Sequence, residues 1–386
     1  MKILRIIGEN LEGFTDGKLD INFTATDRVA QNKSLFLIKK NIYTQNVIAL
    51  VGINASGKTR TLSIVEYVLN VLVNGYGLNY TKIVPFGIKN GSKFTVFFTL
   101  QNKIYKWFFE LLNDSQGWKY GVETLQERSM NSVKNKSDVY NFPEITIDKN
   151  DKLIRKQLPD NIKEMMPDDS SITIKLRKGN KSTSISLMQS TNFNVMLPIG
   201  EIPTEIINVL DSSIEYIKCE KQDNAINCEL KFKYNDIVFK LRDLAEINNL
   251  LSSGTVKGNE VFFAAMLTLI NGAYFIVDEI ENHFHKELVK LLINLFKDNN
   301  TNPNGATLLF STHYVEILDI IDRKDDIYIT MKNNNNISIK KYSEYISRND
   351  LKKSDLLLSG IVKGTAPQYE NIKKFKELLC QKLQKS

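Results

Sequence analysis

Cysteine is scarce. Only Cys219, Cys228 and Cys380 occur in 386 residues, and none stands in C-x-x-C spacing. This excludes a zinc ribbon and a disulfide framework, and fits a reducing compartment. Long apolar runs are equally scarce. The stretch Val261–Val277 is shorter than the ~20 apolar residues that cross a bilayer, and Asn271–Gly272 break it. It reads as a buried helix, a tight turn and a buried strand. At the start, Gly8 and Glu9 follow Lys2 and Arg5 at once, so no secretory apolar region forms. A cytoplasmic protein without a membrane partner is expected. Sustained heptads and internal repeats are missing, which excludes a long coiled coil. Neither sign of charge dominates: 51 basic against 44 acidic residues give +7. That balance permits DNA as a partner without requiring it. Hydrophobic content of 42% and charged content of 25% are globular values. At ~150 residues per unit, the length suggests two or three units.

What is present is strongly patterned. Alternation over Lys2–Ile7 and again at Leu19–Phe23, with Gly13–Phe14 between, predicts an N-terminal hairpin. Val47–Val51 (VIALV) is a continuous apolar run, as expected of a strand buried on both faces. Leu62, Ile64, Val65, Val68 and Leu69 then recur at helical spacing. Phe94–Leu100 and Ile104–Leu111 predict a second hairpin, and Ile214–Leu241 predicts paired strands. Residues 127–205 are polar with scattered apolar positions, and are expected to form an inserted arm or lid. Within it, Ile172–Leu176 and Ser182–Leu187 predict a hairpin across Lys178–Asn180. The run Asn333–Asn336 reads as a polar loop tip between two short strands.

Between the VIALV strand and the helix lies Gly52-Ile53-Asn54-Ala55-Ser56-Gly57-Lys58-Thr59, which satisfies G-x-x-x-x-G-K-[ST] at every fixed position. Glycines let the backbone approach phosphate oxygens, and the loop N–H groups supply partial positive charge. Lys58 is placed to reach the β- and γ-phosphates and the Thr59 hydroxyl to ligate Mg²⁺. Arg60 follows in the first helical turn and joins the expected nucleotide-binding set, with Gly52, Asn54, Ala55, Ser56 and Gly57. Tyr274–Val277 is an apolar strand ending in Asp278 and Glu279. Beside a phosphate loop, the first acid serves the metal and the second polarises the attacking water.

Two further motifs complete an order. Leu251-Ser252-Ser253-Gly254-Thr255 precedes the acidic strand by one helix, and the strand after it ends in Ser311-Thr312-His313. Loop, LSSG motif, Asp–Glu strand and strand-end histidine in that order resemble ABC-type ATPases. The resemblance is closest to the SMC, RecF and OLD group, through the Asn54–Gly57 loop, Gly13–Phe14 and Glu279-Ile280-Glu281-Asn282-His283-Phe284-His285. Gly360–Pro367 and the strand around Tyr105–Trp107 are similar to OLD-like ATPases of abortive-infection, phage-defence systems.

The resemblance implies an α/β ABC-ATPase head: a P-loop NTPase with a mixed sheet, an antiparallel β subdomain and the inserted arm. It implies units at 1–126, 127–205, 206–345 and 346–386: a P-loop lobe, the arm, a second ATPase lobe and a basic extension. It implies ATP hydrolysis with Mg²⁺, with Lys58, Glu279 and His313 catalytic, and Thr59 and Asp278 at the metal. Ser252, Ser253 and Gly254 would meet ATP held by a second copy, so a homodimer or higher oligomer is expected. Residues 314–386 leave no D-x-D pattern of a Toprim nuclease, and Asp325–Asp326 is not one. A separate effector, nuclease or toxin, is therefore the expected partner. The alternative is a RecF/SMC-like ATP-dependent DNA-binding protein of repair.

Three lesser features have plain expectations. His283 and His285 beside Glu281 lack a third distant ligand and read as an interface loop rather than a metal site. Residues 351–386 carry eight lysines against three acids, with Ile372, Phe375, Leu379 and Leu383 on one helical face, and read as a docked basic helix. Lys175, Arg177, Lys178 and Lys181 read as charge on a mobile tip.

Overall fold

The computed structural model describes residues 1–28, 34–81, 84–143, 152–177, 182–189, 200–222, 225–241, 244–282, 285–333, 336–346, 352–358 and 369–383. Its centre is a six-stranded sheet in the order Ser184–Ser186, Tyr274–Val277, Thr307–Thr312, Val47–Val51, Ile327–Asn333, Asn336–Lys341. The first five strands run parallel and the last returns antiparallel. Both faces are covered, which is why all five residues of VIALV are buried. The helix Lys58–Leu69 packs on one face, in a core with Phe94, Phe98 and Trp107 of a second sheet. The helix Lys286–Lys297 covers the other face through Val289, Leu292, Ile293 and Phe296. Because three parallel strands end at one edge, Gly52, Asp278 and His313 leave the sheet side by side. A parallel sheet offers its ligand site at that edge.

The second sheet is antiparallel and contains both expected hairpins. Its order is Leu19–Asn22, Lys2–Glu9, Ser92–Leu100, Lys103–Asp114, Gly117–Ser129, Lys152–Ile154. A third, small sheet holds Gly200–Glu201, Ile214–Gln222, Ala225–Phe232 and Val238–Leu241. Its core includes Ile247, Leu251 and Val256, so it carries the start of the helix Ser253–Asn271. Gly272 ends that helix in the left-handed region at φ 59°, and the strand Tyr274–Val277 follows directly. Among the described residues, no helix is long and apolar enough to cross a membrane.

Four expectations are corrected. The segment 127–205 does not stand apart as an arm: Lys152–Ile154 pairs with Gly117–Ser129, and Ser184–Ser186 joins the central sheet beside Tyr274–Val277. Glu123, buried in the second sheet, anchors it by accepting from Trp107, Ser171 and the Ile172 N–H. The hairpin expected at 172–187 is replaced by a 3₁₀ stretch, Ile172–Arg177, with Ile172 and Thr173 buried, and by the sheet strand Ser184–Ser186. Burial does not follow the alternation: Ile172 and Thr173 are buried side by side and Ile174 is exposed. Lys178 and Lys181 lie outside the described residues, and Arg177 packs against Gly75.

The cysteines also depart from expectation. Cys219 and Cys228 face each other across the ladder of the small sheet and form a disulfide. Strand register, invisible in spacing, brings them together. The terminal helix Tyr369–Leu383 forms, but Phe375, Leu378 and Leu379 are exposed, so it is not docked through them. Gly360–Pro367 and His283 lie outside the described residues.

Candidate functional site

Asn54 to Arg60, Glu279 and His313 line one cleft of about 620 Å³. The loop geometry explains its glycines. A Cβ on Gly52 would meet the Thr330 carbonyl oxygen at 2.4 Å, and one on Gly57, at φ 103°, would meet Ile337 at 2.4 Å. Both glycines are therefore demanded by the hairpin Ile327–Lys341 pressed on the loop, as well as by any ligand. Ala55 also takes a left-handed φ of 60°, a conformation that disfavours a side chain.

Lys58 folds back into its own loop. Its Nζ donates to the Gly52 oxygen at 2.8 Å, the Ile53 oxygen at 3.1 Å and His313 Nδ1 at 3.1 Å. Burial lowers its ammonium to about 8, while Asp278, Glu279 and Glu281 pull the other way. An ammonium has no acceptor, so His313 Nδ1 accepts and its proton sits on Nε2. That proton is donated to Glu279 Oε1 at 2.9 Å. The bond from His313 holds the Glu279 carboxylate below its ordinary value, with Asn282 helping and partial burial opposing. Glu279 stands at φ 49°, another left-handed position that commonly marks a functional constraint.

Candidate oxygen donors for a metal lie next to these contacts. Thr59 Oγ1 donates to Asp278 Oδ2 at 2.7 Å, and Ser311 donates to Oδ1. Ser311 Oγ also accepts the Glu279 N–H at 2.8 Å, and Glu281 accepts the His313 N–H. One hydroxyl and one carboxylate are hard oxygen donors suited to Mg²⁺, which takes its remaining ligands from water and phosphate. No cluster of three or more His, Cys, Asp or Glu able to hold a metal exists among the described residues. His285 caps the helix Lys286–Lys297 instead, accepting the Glu287 N–H.

Arg60 lies in the wall with its guanidinium 4.0 Å from the Phe86 ring centre and close over Gly13. Ser252, Ser253 and Gly254 do not line the cleft. Ser252 caps its own helix, accepting the Thr255 N–H at 3.0 Å, and Ser252 and Ser253 are exposed. Thus the structure joins the loop, both acids and the histidine, and leaves the LSSG motif outside.

Sequence reasoning missed Ser311, Asn282, Thr330, Lys332 and Ile337 as site residues. Ser311 had a signal, its place beside Thr312 and His313 at the end of an apolar strand; the register that sets it level with Asp278 is seen only in the structure. The hairpin residues had none, because its tip read simply as a polar loop.

Residues 47–319 match the family described as "AAA domain, putative AbiEii toxin, Type IV TA system". No curated protein matches the chain.

Proposed function

Since the chain belongs to this AAA-domain family, whose members are P-loop NTPases, we propose that it is an ATPase of the ABC type whose nucleotide state controls a separate effector in phage defence. The observation that carries the ATPase reading is the continuous contact chain Lys58–His313–Glu279 in one cleft, whose Thr59 is bonded to the buried Asp278. A phosphate loop alone binds; a loop joined to an oriented carboxylate can also hydrolyse. The SMC, RecF and OLD likeness is the finer part of the proposal and rests on the sequence motifs.

The residues suggest how the reaction would run. In the free chain the Lys58 ammonium is satisfied by its own loop. A triphosphate offers it charged acceptors, which make stronger hydrogen bonds than carbonyls. Lys58 turns to the β- and γ-phosphates and leaves His313 Nδ1. His313, still held by Glu281 through its backbone N–H, then turns its Nε2–H from Glu279 to a γ-phosphate oxygen, which leaves Glu279 Oε1 free to act as a base. Glu279 accepts a proton from water while that water's oxygen bonds to the γ-phosphorus, and ADP departs. Thr59 and Asp278 would hold magnesium, which when bound offsets negative charge on the phosphate oxygens.

Control of the effector follows from an incomplete site. Ser252 and Ser253 face solvent at the start of a capped helix. We read them as the cover for ATP held by a second copy, so that binding closes a dimer and hydrolysis reopens it. The family description, which names an abortive-infection toxin type, supports the defence role. The test is phosphate release by the purified chain with ATP and Mg²⁺. Glu279→Gln is expected to lower turnover about 10²-fold or more while ATP still binds. Turnover unchanged in that variant would reject the assignment of the base.

A further inference from the structure

Resting on the ATP reading above, we propose that Lys332 is a second phosphate-binding cation, reaching the polyphosphate from the wall opposite Asp278. The hairpin Ile327–Asn333/Asn336–Lys341 lies on one side of the loop strand; the strands leading to Asp278 and His313 lie on the other. The phosphate loop leaves the middle strand, so it sits between an acidic wall and this hairpin.

The hairpin is fixed to the loop at two points. Thr330 and Ser56 share a hydrogen bond of 2.7 Å between their hydroxyls, both fully buried. Across the ladder Lys332 pairs with Ile337, whose side chain is seated against Gly57. Side chains two apart share a strand face. Lys332 therefore points the same way as Thr330, toward the loop, and both Lys332 and Ile337 line the cleft beside Asn54 and Ala55. Met331 between them turns away into the core beneath.

Charge gives this placement a use. Glu279 lines the other wall, with Asp278 buried behind Thr59, and Lys58 is the loop's own cation. Arg60 is engaged over Phe86. Lys332 is exposed and, among the described residues, forms no ion pair. An exposed lysine stem crossing an open cleft can follow phosphate oxygens that a cation at Thr59 and Asp278 would not face.

The experiment is calorimetric titration of the full chain with ATP and Mg²⁺, using wild type, Lys332→Arg, Lys332→Gln, Lys332→Glu and Lys58→Ala. One lost charge-assisted contact predicts about tenfold weaker binding in Lys332→Gln. Lys332→Arg should stay within about threefold of wild type, and Lys332→Glu should be weakest. Thermal midpoints without nucleotide should match, since an exposed lysine contributes little to folding. Equal affinity across the three Lys332 variants, with binding still lost in Lys58→Ala, would overturn the proposal alone. No ATP binding by wild type, or binding retained in Lys58→Ala, would instead overturn the reading beneath it.

Discussion

The phosphate loop and the LSSG motif are built in opposite ways. In the loop Ser56 and Lys58 are buried, Ser56, Lys58 and Thr59 are hydrogen-bonded to partners from three strands, and the Lys58 ammonium also bonds its own loop carbonyls. The LSSG serines are exposed, and Ser252 spends its hydroxyl on capping its own helix. One half of the site is closed within a chain; the other presents an unused surface. The proposed dimer would give that exposed surface a use, on a nucleotide carried by another copy. It also separates two kinds of mutation: those in the closed half should affect binding, those in the open half only closure.

The sharpest break comes from Lys58→Ala. Removing the charge-assisted contacts to phosphate should weaken ATP binding on the order of 100-fold. Titration with a non-hydrolysable ATP analogue measures it. Retained affinity would mean that the closed half is not the nucleotide cradle.

The disulfide tests the other region. Cys219 and Cys228 close a loop in the small sheet whose core holds Leu251 and Val256. A cross-link over so few residues stabilises by about 2 to 3 kcal/mol in the chain-entropy view. Reductant should therefore lower the thermal midpoint while leaving ATP affinity unchanged, because no cleft residue belongs to that core. A parallel loss of affinity on reduction would show that the two regions are not independent.

Ser252→Arg addresses closure directly. A large cation at an exposed helix start costs little within the chain, yet blocks a close-packed cover. Turnover should fall about tenfold or more, single-chain ATP binding should persist, and the ATP-dependent dimer should disappear in light scattering. Undiminished turnover would remove the trans role of the motif.

The same contrast sets how much was legible beforehand. Gly52–Thr59, Asp278, Glu279 and His313 could be read because each is a short motif at a strand end, and parallel strands bring such ends together by topology alone. The corrected parts depend on long-range pairing. Alternation at Ile172–Leu176 could not reveal that Glu123 anchors its start at Ser171 and Ile172. Nor could spacing reveal that Cys219 faces Cys228, or that the strand Ile327–Asn333 overshoots its neighbour and places Lys332 at the loop. The terminal helix was recognised from its period, but a period names a face and not what covers it. Phe375 and Leu379 accordingly emerge exposed.

The most gradual expected effect distinguishes the closed half from the rest of the core by pH. Burial lowers both Lys58 and Lys2 to about 8, from ordinary values near 10.5. Between those values the unfolded chain binds more protons, so the free protein gains stability as pH rises, and both lysines contribute. ATP binding separates them. Phosphate favours the charged Lys58, so above pH 8 the complex must take up a proton that the free chain has lost. Affinity should then fall with rising pH, by up to about tenfold per unit. Lys2 instead donates to the backbone oxygens of Gly272 and Asn304, at 3.0 and 2.8 Å, and does not line the cleft. Its titration should appear in the stability profile and be missing from the affinity profile. Lys2→Met should leave the pH dependence of ATP affinity intact, and a flat affinity between pH 7 and 9.5 in wild type would show that Lys58 does not exchange its loop carbonyls for phosphate.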